Sequence, residues 1–285
     1  MAEGNLYCKS CEHMDELKDN SVDLIVTSPP YWNARDYGMY VTNRKRNYLR
    51  RMRWSYKEYL ALMERCFRDC YRVLKEGRFC AVNVSHILYK GKHYPIPFDL
   101  YFILKRIGFE LHQEIIWNKA LVGFKRISSS TMFLTPTRFY PNFMFEYILV
   151  FTKPGNKITA DRTNRETTDS VVIVDSFFRK EIANNVWHIV TVKPKTLDHP
   201  AAFPEEIPYR LILLYSYKGD LVLDPFVGSG TTAAVAHALG RKFCGYDTQE
   251  EFIDAAKKRI GQPVYLKGLI VPEFRRRNKV LVRKR

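Results

Sequence analysis

"LVLDPFVGSGTTAAVAHALGRKFCGYD", residues 221–247, decides the fold. An apolar run, "LVL", ends on Asp224 and reads as a buried strand. A G-x-G turn, Gly228 and Gly230, then opens into "TTAAVAHALG", a helical stretch with Ser229, Thr231 or Thr232 as its cap. A second strand, "KFCGYD", ends on Asp247, seventeen residues after Gly230. Glycines at such a turn let the backbone approach a ligand that a side chain would exclude. The helix N-terminus offers free N–H groups to an anion. An acidic residue at the end of the next strand stands where a ribose diol is held. Ala233 replaces the third glycine of the dinucleotide fingerprint, so the pattern favours a nucleoside cofactor without a pyrophosphate.

The same alternation extends outward. Strands are expected at 5–8, 22–26 ("VDLIV"), 76–85 after a glycine turn, 109–119 and 143–153. Leu60, Met63, Phe67, Tyr71 and Leu74 recur at helical spacing from Tyr56 onward. "IPFDLYFILKRIG" (96–108) reads as a helix stopped by Gly108. "FPEEIPYRLILLYS" (203–216) and "QEEFIDAAKKRI" (249–260) read as two more. Residues 33–55 and 120–142 show no period, and "VVIVDSFF" (171–178) is a β-like run in a polar stretch. Strands alternating with helices predict an α/β fold: a doubly wound, mostly parallel sheet.

"TSPPYW" (27–32) follows the apolar strand 22–26. Two prolines fix the backbone and donate no hydrogen bond, a serine precedes them and two aromatics follow. Taken alone this is a proline-stiffened turn with a core aromatic.

The chain carries 46 Lys and Arg against 30 Asp and Glu, a net charge of +16. Such an excess points to an anionic partner, nucleic acid first. "VTNRKRNYLRRMR" (41–53) and "RRRNKVLVRKR" (275–285) contain no acid at all. No apolar run approaches the roughly 20 residues of a membrane helix, and the N-terminus lacks a signal-peptide pattern. The expectation is a cytoplasmic protein with no membrane partner. Cys8 and Cys11 form a C-x-x-C, and Cys66 and Cys70 are four apart. Their placement in a strand and on an apolar helix face reads as core rather than zinc, so no metal is expected.

Together, "TSPPYW" and "DPFVGSGTT" resemble the amino-group DNA methyltransferases that use S-adenosyl-L-methionine, in the permuted β arrangement that puts the catalytic motif first. "VLKEGRFCAVNV", "IIWNK", "FEYILVFTK", "NVWHI" and "HPAAFPEEIPYRLI" add to the likeness over most of residues 5–260. Serine before the double proline is similar to the cytosine-N4 branch. The resemblance implies a catalytic motif of Ser28, Pro29, Pro30 and Tyr31. It implies a cofactor site of Thr27, Asp224, Pro225, Phe226, Gly228, Ser229, Gly230 and Thr231 around the methionine moiety, and Asp247 on the ribose. His199, Pro200 and Phe203 help close that pocket. Residues 1–119 would form the catalytic half, 120–187 the target-recognition region, 188–262 the cofactor half and 263–285 a basic tail.

The chemistry implied is methyl transfer to the exocyclic N4 of a flipped cytosine in double-stranded DNA, for restriction-modification. Ser28 and the Pro29 carbonyl accept the two amine hydrogens, and Tyr31 stacks on the base. No strong general base is needed if the proton leaves after transfer, which fits a motif with neither carboxylate nor histidine. Arg44, Lys45, Arg46, Arg50, Arg51, Arg53, Arg275, Arg276 and Arg277 would bind phosphates. Adenine N6 as the target and a catalytically silent DNA-binding scaffold stay open, as do a cognate endonuclease partner and a monomer or homodimer.

Overall fold

A computed structural model describes residues 4–32, 55–119, 143–156, 170, 172, 174–191 and 203–264. In chain order the elements are β1 (Gly4–Cys8), β2 (Val22–Thr27), α1 (Tyr56–Val73), β3 (Leu74–Val84), a hairpin of β4 (Ile87–Tyr89) and β5 (Lys92–Tyr94), α2 (Ile96–Ile107), β6 (Glu110–Asn118) and β7 (Phe145–Thr152). A π-helical turn (Phe178–Ile182) precedes β8 (Val186–His188), α3 (Glu206–Tyr215), β9 (Leu221–Asp224), α4 (Thr231–Ala238), β10 (Lys242–Asp247) and α5 (Glu250–Arg259).

Eight strands form one sheet in the order β1-β10-β9-β2-β3-β7-β6-β8. Five neighbouring pairs are parallel, and only β7 runs antiparallel to both its neighbours. The expected doubly wound α/β sheet is therefore present. Every position of β2 is buried, as a central strand covered on both faces requires. Side chains alternate between two cores. Ile25, Cys80, Val82, Leu149 and Phe151 pack with α1 and α2, while Leu24, Val26, Ala81, Ile148 and Val150 pack with α3, α4 and Ile253 of α5. That is the period of two expected of strands.

α1 begins with a reciprocal capping box: Ser55 Oγ accepts from the Glu58 N–H and Glu58 accepts from the Ser55 N–H. Gly77 does not form a turn ahead of β3, as the sequence suggested. Leu74 already pairs with Val22 while Phe79 pairs with Leu24, so the extra residues bulge out within the strand. Gly77, at φ 71°, sits in that bulge. The β-like run 171–178 is also corrected. Its described residues form no strand, and the chain turns helical at 176–177 because Asp175 Oδ1 accepts from the Phe178 N–H at 2.7 Å. β8 was unforeseen; three residues long, it holds its place through parallel pairing with β6. No helix among the described residues is long and apolar enough to cross a membrane.

Candidate active site

The strand order reverses between β9 and β2. The chain builds outward through β3 on one side and through β10 on the other. In doubly wound sheets the crevice beyond the carboxyl ends of such strands receives the ligand. β2 and β9 run side by side, with Leu24 opposite Val222 and Ile25 opposite Leu223, so "TSPPYW" and "DPFVGSG" leave the sheet together. The Thr27 hydroxyl donates to Asp224 Oδ1 at 2.7 Å across 197 residues of sequence. This bond joins the two motifs.

Asp224 is 2 % exposed. Thr232 Oγ1 donates to its Oδ2 at 2.7 Å and the Phe226 N–H to its Oδ1 at 3.1 Å. Burial pushes its carboxyl up to about 6 from an ordinary 3.8; the donors from Thr27, Thr232 and Phe226 pull the other way, and the Asp247 charge adds a small push up. Thr27 and Asp224 thus face each other and brace the floor of the crevice. Pro225, Gly228, Ser229, Gly230 and Thr231 are buried above them, while Phe226 is half-buried.

The helix cap differs from the expectation. Gly230 is the cap, in left-handed conformation at φ 80°, with no side-chain cap bond. Thr231 Oγ1 instead accepts from Arg259 at 3.0 Å, and Arg259 also pairs with Glu205 at 2.7 Å. The reason for glycine at 230 is also partly different. A Cβ there would come within 2.7 Å of the Ala256 Cα, so the glycine admits α5 as well as the positive φ. Asp247, at the end of β10, is half-buried. Its oxygens accept from the Gly228 N–H at 3.2 Å and the Gln249 N–H at 3.0 Å. Burial raises its pKa. A carboxylate has about four acceptor sites, so capacity for two hydroxyls remains. The glycine turn, the half-exposed Phe226 and this acid fit a nucleoside with a charged tail.

The catalytic motif is braced from the opposite side. Pro29 and Trp32 are buried, and Ser28, Pro30 and Tyr31 are half-buried. Trp32 packs against Tyr94 (ring centroids 4.4 Å apart), Tyr56 (5.1 Å) and Tyr89 (5.7 Å). A carboxylate does stand at this site, contrary to the expectation from the motif alone. Tyr31 donates its hydroxyl to Glu146 Oε2 at 2.6 Å, and Asn83 Nδ2 donates to the same oxygen at 2.6 Å. Lys119 pairs with Glu146 Oε1 and lies over the Trp117 ring at 4.7 Å.

A family model described as DNA methylase, of the N6/N4 kind, matches residues 22–258. This chain belongs to that family. The methylase is 30 % identical over 277 residues to the orphan methyltransferase M.BamHII of Bacillus amyloliquefaciens, covering 88 % of this chain and 93 % of that protein. It is 30 % identical over 292 residues to the type II methyltransferase M.MthZI of Methanothermobacter thermautotrophicus, covering 93 % and 79 %. Among solved structures, a DNA modification methylase of Thermus thermophilus, TTHA0409, matches with a TM-score of 0.68 at 26 % identity, covering 90 % of this chain and 94 % of that one. TTHA0409 has also been solved complexed with S-adenosyl-L-methionine. The cytosine-N4-specific PvuII DNA methyltransferase shares the fold, with a TM-score of 0.65 at 19 % identity over 96 % of this chain and 90 % of that one.

Of the site residues expected in the methylase, Thr27, Ser28, Pro29, Pro30, Tyr31 and the 224–231 turn converge on one crevice, with Asp247 on the neighbouring strand. Phe203 is buried in the core on the α3 side. His199, Pro200, the six cations between Arg44 and Arg53, Arg275, Arg276 and Arg277 lie outside the described residues. Asn83, Lys119 and Glu146 were not foreseen. Their signal was a polar residue inside or beside an otherwise apolar strand, "CAVNV", "IIWNK" and "FEYILVF". Among the described residues no group of histidine, cysteine or acidic side chains could hold a metal. Cys11, Cys66 and Cys70 are buried core residues.

Proposed function

We propose that this DNA methyltransferase moves a methyl group from S-adenosyl-L-methionine to the exocyclic N4 of a cytosine flipped out of double-stranded DNA, as the modification activity of a restriction-modification system. The observation that carries this reading is the Thr27–Asp224 bond. It sets a motif of acceptors beside a nucleoside-type turn at the switch point of the sheet, so amine and methyl group can be presented to each other in line.

When bound, the cofactor supplies an electrophilic methyl on a sulfonium. The chain's own work is to hold and orient. The 224–231 turn takes the methionine end, and Asp247 accepts from the ribose hydroxyls. The cytosine amine is a weak nucleophile because its lone pair is delocalised into the ring. Ser28 Oγ and the Pro29 carbonyl accept its two hydrogens and draw the nitrogen toward tetrahedral geometry. Neither proline donates a competing bond. Tyr31 gives the base a flat face. Positioning of this kind supplies most of the rate gain.

Serine, rather than aspartate, ahead of the double proline favours cytosine N4 over adenine N6. The target sequence is read by residues within 120–187, and the cationic segments 41–53 and 275–285 hold phosphates without reading sequence. Methyl-labelled S-adenosyl-L-methionine and double-stranded DNA, followed by nucleoside analysis, test the reading. N4-methylcytosine is the expected product. Label on N6-methyladenine would sink the base assignment, and unlabelled DNA would sink the activity.

A further inference from the structure

The buried polar group behind "SPPY" does something that the motif cannot do alone. Glu146 is 5 % exposed and Asn83 is 2 % exposed. They sit on neighbouring strands, β7 and β3, at the edge of the sheet from which Ser28 emerges. A carboxylate only accepts hydrogen bonds, so the Asn83 atom 2.6 Å from Glu146 Oε2 has to be the amide nitrogen. That fixes the amide's orientation. Its nitrogen then lies 3.4 Å from both Ser28 Oγ and Tyr31 Oη. The fixed orientation leaves Asn83 Oδ1 buried with no hydrogen-bond partner. A network selected only for stability would not keep an unpartnered buried acceptor. Lys119 compensates the charge of Glu146 from the other side, so the carboxylate persists in a place where an apolar residue would pack as well.

We propose that Glu146 is the positioning residue of the catalytic motif: it anchors the Tyr31 ring directly and sets the Ser28 hydroxyl through Asn83. One carboxylate oxygen holds both arms, so the stacking face and the amine acceptor are placed relative to each other by a single atom. With one Ser28 lone pair turned toward Asn83, the other is left for the amine. Such an arrangement acts on turnover, because a small error in the placement of the reacting groups is felt in the transition state before it is felt in binding. The inference rests on the roles given above to Ser28 and Tyr31.

The test uses the full chain and DNA carrying the site identified by methylome sequencing of a host expressing it. Glu146→Gln is expected to lower kcat at least tenfold, with the cofactor Kd within twofold of wild type and the melting temperature little changed. Tyr31→Phe removes one arm and should also lower kcat. The double variant Y31F/E146Q should be no slower than E146Q alone, since both changes break the same bond. A folded E146Q enzyme with kcat within twofold of wild type overturns the proposal. So does a loss confined to cofactor affinity, or rate losses that multiply in the double variant. If E146Q does not fold, Tyr31→Phe and Asn83→Ala carry the test, since each leaves the Glu146–Lys119 pair intact. Reduced kcat in both upholds the proposal, and wild-type turnover in either overturns it. Nucleoside analysis of the wild-type product separates the two readings: label on adenine ends the cytosine assignment and leaves the Glu146 comparison standing.

Discussion

Between Leu221 and Asp247 the cofactor side of the crevice is made by one continuous strand–turn–helix–strand unit, whereas the catalytic side is assembled from four separate stretches. Ser28 and Tyr31 follow β2, Asn83 ends β3, Lys119 follows β6 and Glu146 opens β7. The first side is held by backbone geometry, with Gly228 and Gly230 at positive φ and the Asp247 carboxylate on two main-chain N–H groups. The second is held by side chains bonded to one carboxylate oxygen. Damage to the first should therefore appear in folding and cofactor binding, and damage to the second in turnover. Four substitutions test that division.

Gly230→Ala should have the largest effect. The new Cβ meets the Ala256 Cα at 2.7 Å, a backbone atom that cannot swing aside, and φ 80° is strained for alanine. Overpacking plus an incompatible φ costs about 3 kcal/mol or more. The variant should melt well below wild type by calorimetry. A wild-type melting temperature would show that α5 does not hold the turn.

Asp224→Asn comes next and is read through pH. A carboxyl whose pKa is higher in the fold than in the unfolded chain binds its proton more tightly when folded. Its share of stability is therefore present below 3.8 and is lost as pH rises through about 6. The interval corresponds to about 3 kcal/mol. Asparagine does not titrate, so the difference between wild-type and variant stability should change across pH 3.8 to 6 and be flat above. Parallel stability curves across that interval would mean that Asp224 keeps an ordinary pKa despite its burial.

The same division explains what could be read from the sequence. The 221–247 unit is local: strand, turn, helix and second strand each leave a signature within a few residues, and Asp224, Gly228, Gly230 and Asp247 follow from their spacing. The catalytic network is not local. Asn83 and Glu146 each appear as one polar letter in an apolar strand, and only the antiparallel pairing of β3 with β7 brings them together. β8 hides for a similar reason, since Val186–His188 is too short to show a period and exists through β6. The run 171–178 misleads because its β-branched residues outweigh Asp175, whose carboxylate starts a helical turn. The role of Gly230 was half-legible. Its positive φ follows from the turn, but its contact with Ala256 depends on a helix that begins some way further along the chain.

Ser28→Ala sharpens the catalytic side. Removing one preorganised group at the reacting centre costs about 10²-fold in kcat, and the cofactor Kd should stay unchanged because the turn at 224–231 is untouched. Single-turnover rates at saturating cofactor check this. Unaltered turnover would take the amine acceptor role away from Ser28 and leave it with the Pro29 carbonyl alone.

Asp247→Ala is expected to do the reverse, and with the smallest effect. Charged hydrogen bonds to a ligand contribute about 1.5–3 kcal/mol, so the cofactor Kd should rise by about tenfold or more while kcat at saturation holds. Part of the rise would come from the loop, because the Gly228 N–H loses its acceptor. Asp247→Asn separates the two causes. Asparagine keeps one carbonyl oxygen for a main-chain N–H, so the turn is largely preserved and the remaining rise in Kd reports the lost acceptor for the ribose. If instead kcat falls in both variants with Kd unmoved, then Asp247 belongs with the groups that place the reacting atoms, and the two sides of the crevice are mechanically one.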